Sequence, residues 1–401
     1  MEKPDITQKK EGTQQETGEA KETPKDSKSM KRGAIKDNVQ KLKWGELKDW
    51  QKKRLGYSVV IFLGVMLTVL VIACAVIYTD KAGEDQYWDS YFQTDEDVQA
   101  AVDEISGSAV KVSTGVYVDN FKSISLKDNS FTAQYLIWFR WQGSPDLDMA
   151  DNFRIYKGTI NKKELVKDYH QGNENYQLVR VDATVSKAFW TVRFPLESHQ
   201  LRVYIESNYP ANRVVFVEDT PADVNGNTGV TGYDMTRIGS AVVGYEYDQT
   251  HGDPEMNGSV PVTEYMVQME FNRDGFGTFL MCFIAMFGTS LWVFITLYIN
   301  TYHRVDPLAM IPAALFGTVS NIMVGANMLP GTVGLGLLVF LNLWGILTIL
   351  AVTMTIININ RIRNRFEDRS FAGYYGRTML RLMGTVVLLG DILMPLLAYK
   401  F

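Results

Sequence analysis

The sequence predicts a membrane protein in which a β-sandwich domain lies between one N-terminal membrane helix and a cluster of four more. Three observations predict it. Uncharged or nearly uncharged apolar runs of membrane-spanning length occur once near the N-terminus and repeatedly after residue 275. Between them the hydrophobic pattern changes to period two, the spacing of half-buried strands. The first 56 residues are almost entirely polar, so the near-neutral mean hydropathy averages over very different regions.

The segments follow in order. Residues 1–43 are rich in Lys, Glu, Thr, Gln and Gly and predict disorder. Trp44 to Leu55 reads either as a basic amphipathic helix at the inner membrane surface or as a solvated linker. The whole segment 1–56 is expected in the cytoplasm. Residues 57–78 (YSVVIFLGVMLTVLVIACAVIY) carry no charge and are long enough to cross a hydrocarbon core of about 30 Å. A signal peptide is disfavoured by the long polar leader and by the length of the run. The C-terminal region, 275–401, holds runs ending near Asn300, Asn327, Ile359 and Phe401.

Positive charge orients the chain. Lys52, Lys53 and Arg54 precede the first helix, His303 and Arg304 follow the second, and Arg361, Arg363, Arg365, Arg369 and Arg377 lie between the fourth and fifth. With five spans every basic link falls on one side. The expected placement is a multi-pass protein of the cell (inner) membrane. Its N-terminus is cytoplasmic, and its β domain and C-terminus are extracellular or periplasmic.

The β domain is expected over 79–274. Thr94 caps a short helix in which Val98, Ala101, Val102 and Ile105 share a face, with Gly107 as its stop. Strands are predicted over 110–119, 131–141, 178–184, 188–194, 201–207 and 260–271. Turn chemistry separates them, as at Lys127-Asp128-Asn129 and 223–228 (DVNGNT).

Composition excludes several functions. The formal net charge of -5 over 401 residues gives no basic surface for nucleic acid. The two cysteines, Cys74 and Cys282, both lie in apolar runs, so no disulfide framework is expected. The four histidines are scattered without zinc spacing, and no metal or cofactor is expected. No nucleophile triad or phosphate loop is evident, and the chain is not expected to be an enzyme.

The chain resembles the pentameric ligand-gated ion channels, the Cys-loop receptor superfamily, in a prokaryotic form without the cysteines. Gly115 to Val118 and Ser123 to Trp141 are similar to that family's first two strands. Phe194-Pro195-Leu196-Glu197-Ser198-His199 is similar to its FPxD-x-Q signature, with Glu for Asp and His for Gln. Leu201 to Ser207 continues the strand, and Arg273 matches the arginine preceding the first pore-domain helix. The likeness covers about 110–401. Lys187 and Leu201 stand where signature cysteines occur in other members. The usual proline is missing from the helix at 276–300, and the helix at 57–78 is additional.

The resemblance implies a homopentamer in membrane lipid that passes inorganic ions in response to a small-molecule or proton agonist. Phe194, Pro195, Glu197, Arg273 and Pro330 would couple the β domain to the pore, with Phe194 and Pro195 touching the link at 328–332 and Arg273 pairing with Glu197. The helix at 306–327 would line the pore. Leu308, Leu315, Val319 and Ile322 recur on one face of it, as a hydrophobic constriction requires. Asp306 at the inner mouth would favour cations. Pro312 is expected to kink that helix. Tyr209, Tyr245 and Tyr247 are the expected ligand aromatics, with 248–259 as a capping loop. The alternative function is a non-conducting receptor or scaffold that keeps the channel-like fold and signals through its N-terminal cytoplasmic segment.

Overall fold

The structure, a computed structural model, describes residues 42–247, 260–329 and 334–400. The disorder expected of 1–43 concerns positions almost all outside these residues. The capping loop at 248–259 and Pro330 lie outside them too.

The chain opens with a helix far longer than the apolar run requires. After a 3-10 turn at Trp44–Glu46, α1 runs unbroken over Asp49–Ser90, 42 residues. At 1.5 Å per residue this is about 63 Å, twice a hydrocarbon core. No separate amphipathic helix forms at 44–55, because its second half is already the first turns of α1. At the other end the helix passes residue 78 without a break. Lys81 and Glu84 are good helix formers, and Lys81 pairs with Glu84 one turn on at 3.1 Å.

Helix α2 follows at Glu96–Ile105. Its cap is Asp95, which accepts from the Asp97 N–H at 3.0 Å, and not Thr94. Thr94 Oγ1 instead accepts the Gly244 N–H at 3.0 Å, tying this segment to a strand.

Among the described residues ten strands then form two sheets: β1 Val110–Ser125, β2 Ser130–Gln142, β3 Phe153–Ile155, β4 Gly158–Gln171, β5 Glu174–Ser186, β6 Ser198–Ser207, β7 Val214–Glu218, β8 Asp223–Val224, β9 Tyr233–Tyr247 and β10 Val260–Arg273. One sheet has the order β4-β5-β2-β1-β7, with β8 also paired to β1. The other has the order β3-β6-β10-β9. Alternation in β2 buries Phe131, Ala133, Tyr135, Ile137 and Phe139 on one face. The two sheets meet through contacts such as Phe121 with Phe271, rings 4.7 Å apart, and Phe139 with Phe153, 5.3 Å apart.

The expected strand at 188–194 is not a strand. Residues 187–197 form the irregular connection between β5 and β6. Its apolar residues anchor a loop instead, Phe189 and Phe194 being buried five residues apart.

The C-terminal region is helical: α3 Gly275–His303, α4 Ile311–Met328, α5 Leu337–Arg365 and α6 Arg369–Lys400. With α1, and with α4 extended by the 3-10 turn Leu308–Met310, five helices among the described residues are long and apolar enough to cross a membrane. Pro312 does not kink α4. It sits in the first turn, where a missing N–H breaks no intrahelical bond. Helix α1 packs on α5 and α6: Gln51 donates to Asp368 at 2.6 Å, Arg54 to Asn358 at 3.1 Å and Tyr375 to Ser58 at 2.8 Å.

Candidate functional site: the junction of the sheets and the apolar helices

The loop 187–197 lies where the β domain meets the helices. Its centre is Phe194-Pro195, a cis peptide, with the Phe194 ring fully buried. Two glycines let helix ends come close to it. A Cβ on Gly275, the first residue of α3, would lie 2.8 Å from Leu196 Cδ2 and 3.1 Å from the Pro195 carbonyl. A Cβ on Gly336, just before α5, would lie 2.3 Å from the Val192 carbonyl oxygen. The Leu337 N–H donates to that same carbonyl at 2.7 Å. The loop therefore bears on the first turns of both α3 and α5.

Two arginines charge this junction. Arg273, the last residue of β10, places Nε 2.9 Å from Glu197 Oε1 and donates to the Tyr233 hydroxyl. Its guanidinium lies 5.0 Å from the Phe194 ring centre and 4.8 Å from that of Tyr233. Its backbone N–H donates to the Glu197 carbonyl at 3.2 Å. His199 Nε2 approaches the same carboxylate at 3.4 Å. These are close charge contacts whose N–H groups are not aligned as hydrogen bonds to the carboxylate.

Burial by itself would raise the Glu197 carboxyl, but His199 and Arg273 outweigh it and hold it below its ordinary value. Burial lowers His199, against the opposing pull of Glu197. Burial pushes the Tyr233 phenol up to about 12, with Arg273 opposing.

Arg193 is the second arginine, and the sequence reading did not single it out. It is 4% exposed. Its Nε lies 3.1 Å from Asp80 Oδ2, and its Nη2 donates to Glu84 Oε2. It also donates to Ser198 Oγ at 3.1 Å and to the Ala398 carbonyl near the end of α6 at 3.4 Å. Glu84 is 1% exposed, accepts from Ser198 as well, and its backbone carbonyl accepts from Gln200 at 2.8 Å. Arg193 and Lys81 balance Asp80 and Glu84, so the cluster is neutral overall. Removing one partner of such a buried set leaves an uncompensated charge. The signal that could have found it was present: acidic residues one turn apart in a segment with no other reason to be helical.

From this cluster α1 continues along the outward face of the four-stranded sheet. Register places Gln200, Arg202, Tyr204 and Glu206 of β6 on that face, beside Glu270, Gln268, Met266 and Glu264 of β10. The Arg237 guanidinium stacks 4.3 Å from the Trp88 ring and that of Arg202 3.4 Å from the Tyr91 ring. A Cβ on Gly239 would meet Phe92 at 2.7 Å.

The structure thus brings Phe194, Pro195, Glu197 and Arg273 together. The expected pore residues lie elsewhere, on α4 and the turn before it. Ile311, Ala314, Thr318, Asn321 and Gly325 face the other helices, with Asn321 donating to Asn342 at 2.8 Å. Leu315 (44% exposed), Val319 (54%) and Ile322 point away from them, and Leu308 is half-buried. Asp306 is exposed, and its carboxylate accepts the Leu308 N–H at 3.2 Å.

The three expected ligand tyrosines separate into two places. Tyr245 and Tyr247 lie together, rings 4.8 Å apart, with Tyr156 6.0 Å from Tyr245. Tyr209 is not with them. Arg213 stacks on its ring at 3.9 Å, and its hydroxyl donates to the Leu147 carbonyl at 3.3 Å.

The chain matches no protein-family model and no curated protein.

Proposed function

We propose that the chain is one subunit of a homopentameric ligand-gated ion channel in the cell membrane, with its β-sandwich domain outside and its N-terminal segment in the cytoplasm. One observation carries this reading: loop 187–197 bears on the starts of α3 and α5, on either side of α4. A stimulus that shifts the sheets would move this loop and, through the start of α5, the adjoining end of the helix that lines the pore. The outward face of α4 supports the same reading. Leu315, Val319 and Ile322 are left unburied by their own chain, and five copies would close them into a hydrophobic constriction that gates by dewetting. Asp306 at the inner mouth favours cations.

The test is single-channel recording of the purified protein in bilayers, over a panel of ligands and pH values, with Leu315→Ser alongside. Openings that Leu315→Ser prolongs support the reading. Silence of both proteins under every condition, or an assembly of other than five subunits, overturns it.

A second reading has its own observation. The coupling loop is also ion-paired to α1 through Arg193, and α1 leads directly to the N-terminal segment. A non-conducting receptor that passes a signal from the β domain along α1 would use that contact. Silent bilayers, with ligand-dependent protection of residues 44–56 from proteolysis, favour it.

A further inference from the structure

Residues 90–95, which join α1 to α2, cross the outward face of the four-stranded sheet and roof a cavity of about 790 Å³. Its walls come from β6, β9, β10, the turn between β3 and β4, and the start of loop 187–197. Three cations line it. Arg202 donates to the neutral side chains of Gln268 at 3.0 Å and Gln200 at 2.6 Å, and lies flat on Tyr91. The Lys157 ammonium sits 5.0 Å from the Tyr156 ring. Lys187 has no carboxylate partner among the described residues. Burial, with Arg202 adding to it, lowers its ammonium to about 8.

Among the described residues two carboxyl groups line the same space. That of Asp95 is committed to capping α2. Glu264 is 3% exposed, and its burial beside the Glu206 carboxylate raises it and so favours its neutral form. Three cations against the two carboxyl groups, with Glu264 raised, leave the lining electropositive among the described residues. Its Glu264 Oε1 is buried without a hydrogen-bond donor. Tyr91, Tyr156, Tyr204 and Tyr245 line the space between. Along β6, Arg202 and Glu206 are four residues apart, roughly 13 Å, and Glu264 is the cross-strand partner of Glu206. Less the reach of both side chains, that span fits a single ring.

We propose that this cavity binds a small aromatic carboxylate, its acid group held by Lys187 and Arg202, its ring among the tyrosines, and a hydroxyl or amine at its far end donating to Glu264. An anion placed there supplies the counter-charge that Lys187 and Arg202 lack, through charge-assisted hydrogen bonds. The roof belongs to the segment leading from α1, so an occupied cavity clips that segment to the sheet. The site needs no conduction and stands whether or not the chain forms a pore.

The experiment is calorimetric titration of the full chain in detergent with 4-hydroxybenzoate, and with 4-hydroxybenzamide as the uncharged control. Saturable binding of the acid below about 1 mM is expected, and none of the amide. Lys187→Met and Arg202→Gln should each weaken it by about tenfold, the worth of one charge-assisted hydrogen bond, and Lys187→Arg should restore most of it. Binding should weaken between pH 7 and pH 8.5, as Lys187 loses its proton while the phenol of the probe keeps its own. Absence of saturable binding, equal binding of the amide, or unchanged affinity in variants that melt like the parent overturns the proposal. Because the readout is heat and not current, its failure leaves the channel reading untouched, and silent bilayers leave this site untouched.

Discussion

Arg193 belongs to the junction loop and Arg273 packs on it from the end of β10, and their surroundings differ. Arg273 closes a local set: the Glu197 carboxylate at the end of the loop, one phenol and one aromatic face, all within the β domain. Arg193 reaches out of the β domain, to two carboxylates of α1 and a carbonyl of α6. The first arrangement fixes the loop to its own sheet. The second builds the additional helix into the junction, so that any displacement of the loop must carry α1 with it or separate a buried ion pair.

Breaking the Arg193 cluster should have the largest effect. Arg193→Met strands two carboxylates, one of them almost wholly buried, and should cost about 3–5 kcal/mol in denaturant unfolding. Removing both charges in Arg193→Met/Glu84→Met should recover most of that loss, since well-packed apolar replacements of buried pairs are often nearly neutral. A single variant as stable as the parent would mean that the cluster does not bind α1 to the loop.

The Arg273 set should respond less. Arg273→Gln loses one charge contact and should cost about 1.5–3 kcal/mol by the same measurement. It should also change the response to acid. The folded-state values of Glu197 and His199 both lie below their ordinary values, 4.5 and 6.5. Each therefore stabilises the fold above its ordinary value and loses that contribution as pH falls through the folded one. The melting midpoint should fall from below about pH 6.5 downward, and more shallowly in His199→Phe. A midpoint flat from pH 7 to pH 4 would show that neither group titrates with folding.

Gly336→Ala sharpens the comparison without touching charge. Its methyl would meet the Val192 backbone, which cannot rotate away, and should cost about 1–3 kcal/mol while shifting any gating response. Leu315→Ser should be the mildest for stability, within about 0.5 kcal/mol in detergent, because its side chain makes few contacts within its own chain. A large loss there would place Leu315 in packing rather than on a free face.

How much of this was legible varies with the kind of signal. Strands β2 and β5 show alternation because one face of each is buried, whereas β6 and β10 alternate in polarity although both faces are largely covered. Strand β4 shows none, since nearly all its residues are exposed, and only its pairing with β5 makes it a strand. Residues 188–194 read as a strand without being one, because apolar residues anchor a loop as readily as a sheet. Residues 79–90 read as the start of a domain because polarity rises there. Yet polarity does not end a helix when distant partners meet it: Arg193 pairs with its carboxylates and Arg237 stacks on its Trp88 ring.

The amino-acid sequence alone determined the apolar helices, the two-residue periodicity of the β region and the residues of the Phe194-Pro195 loop, because each is a local pattern of polarity or backbone restriction. Tertiary structure alone decided that α1 runs on from the apolar segment to the sheet, that Arg193 is its anchor, and that Tyr91, Arg202, Lys187 and Glu264 enclose one cavity. Those facts depend on which far-apart residues meet, and local periodicity carries no record of that.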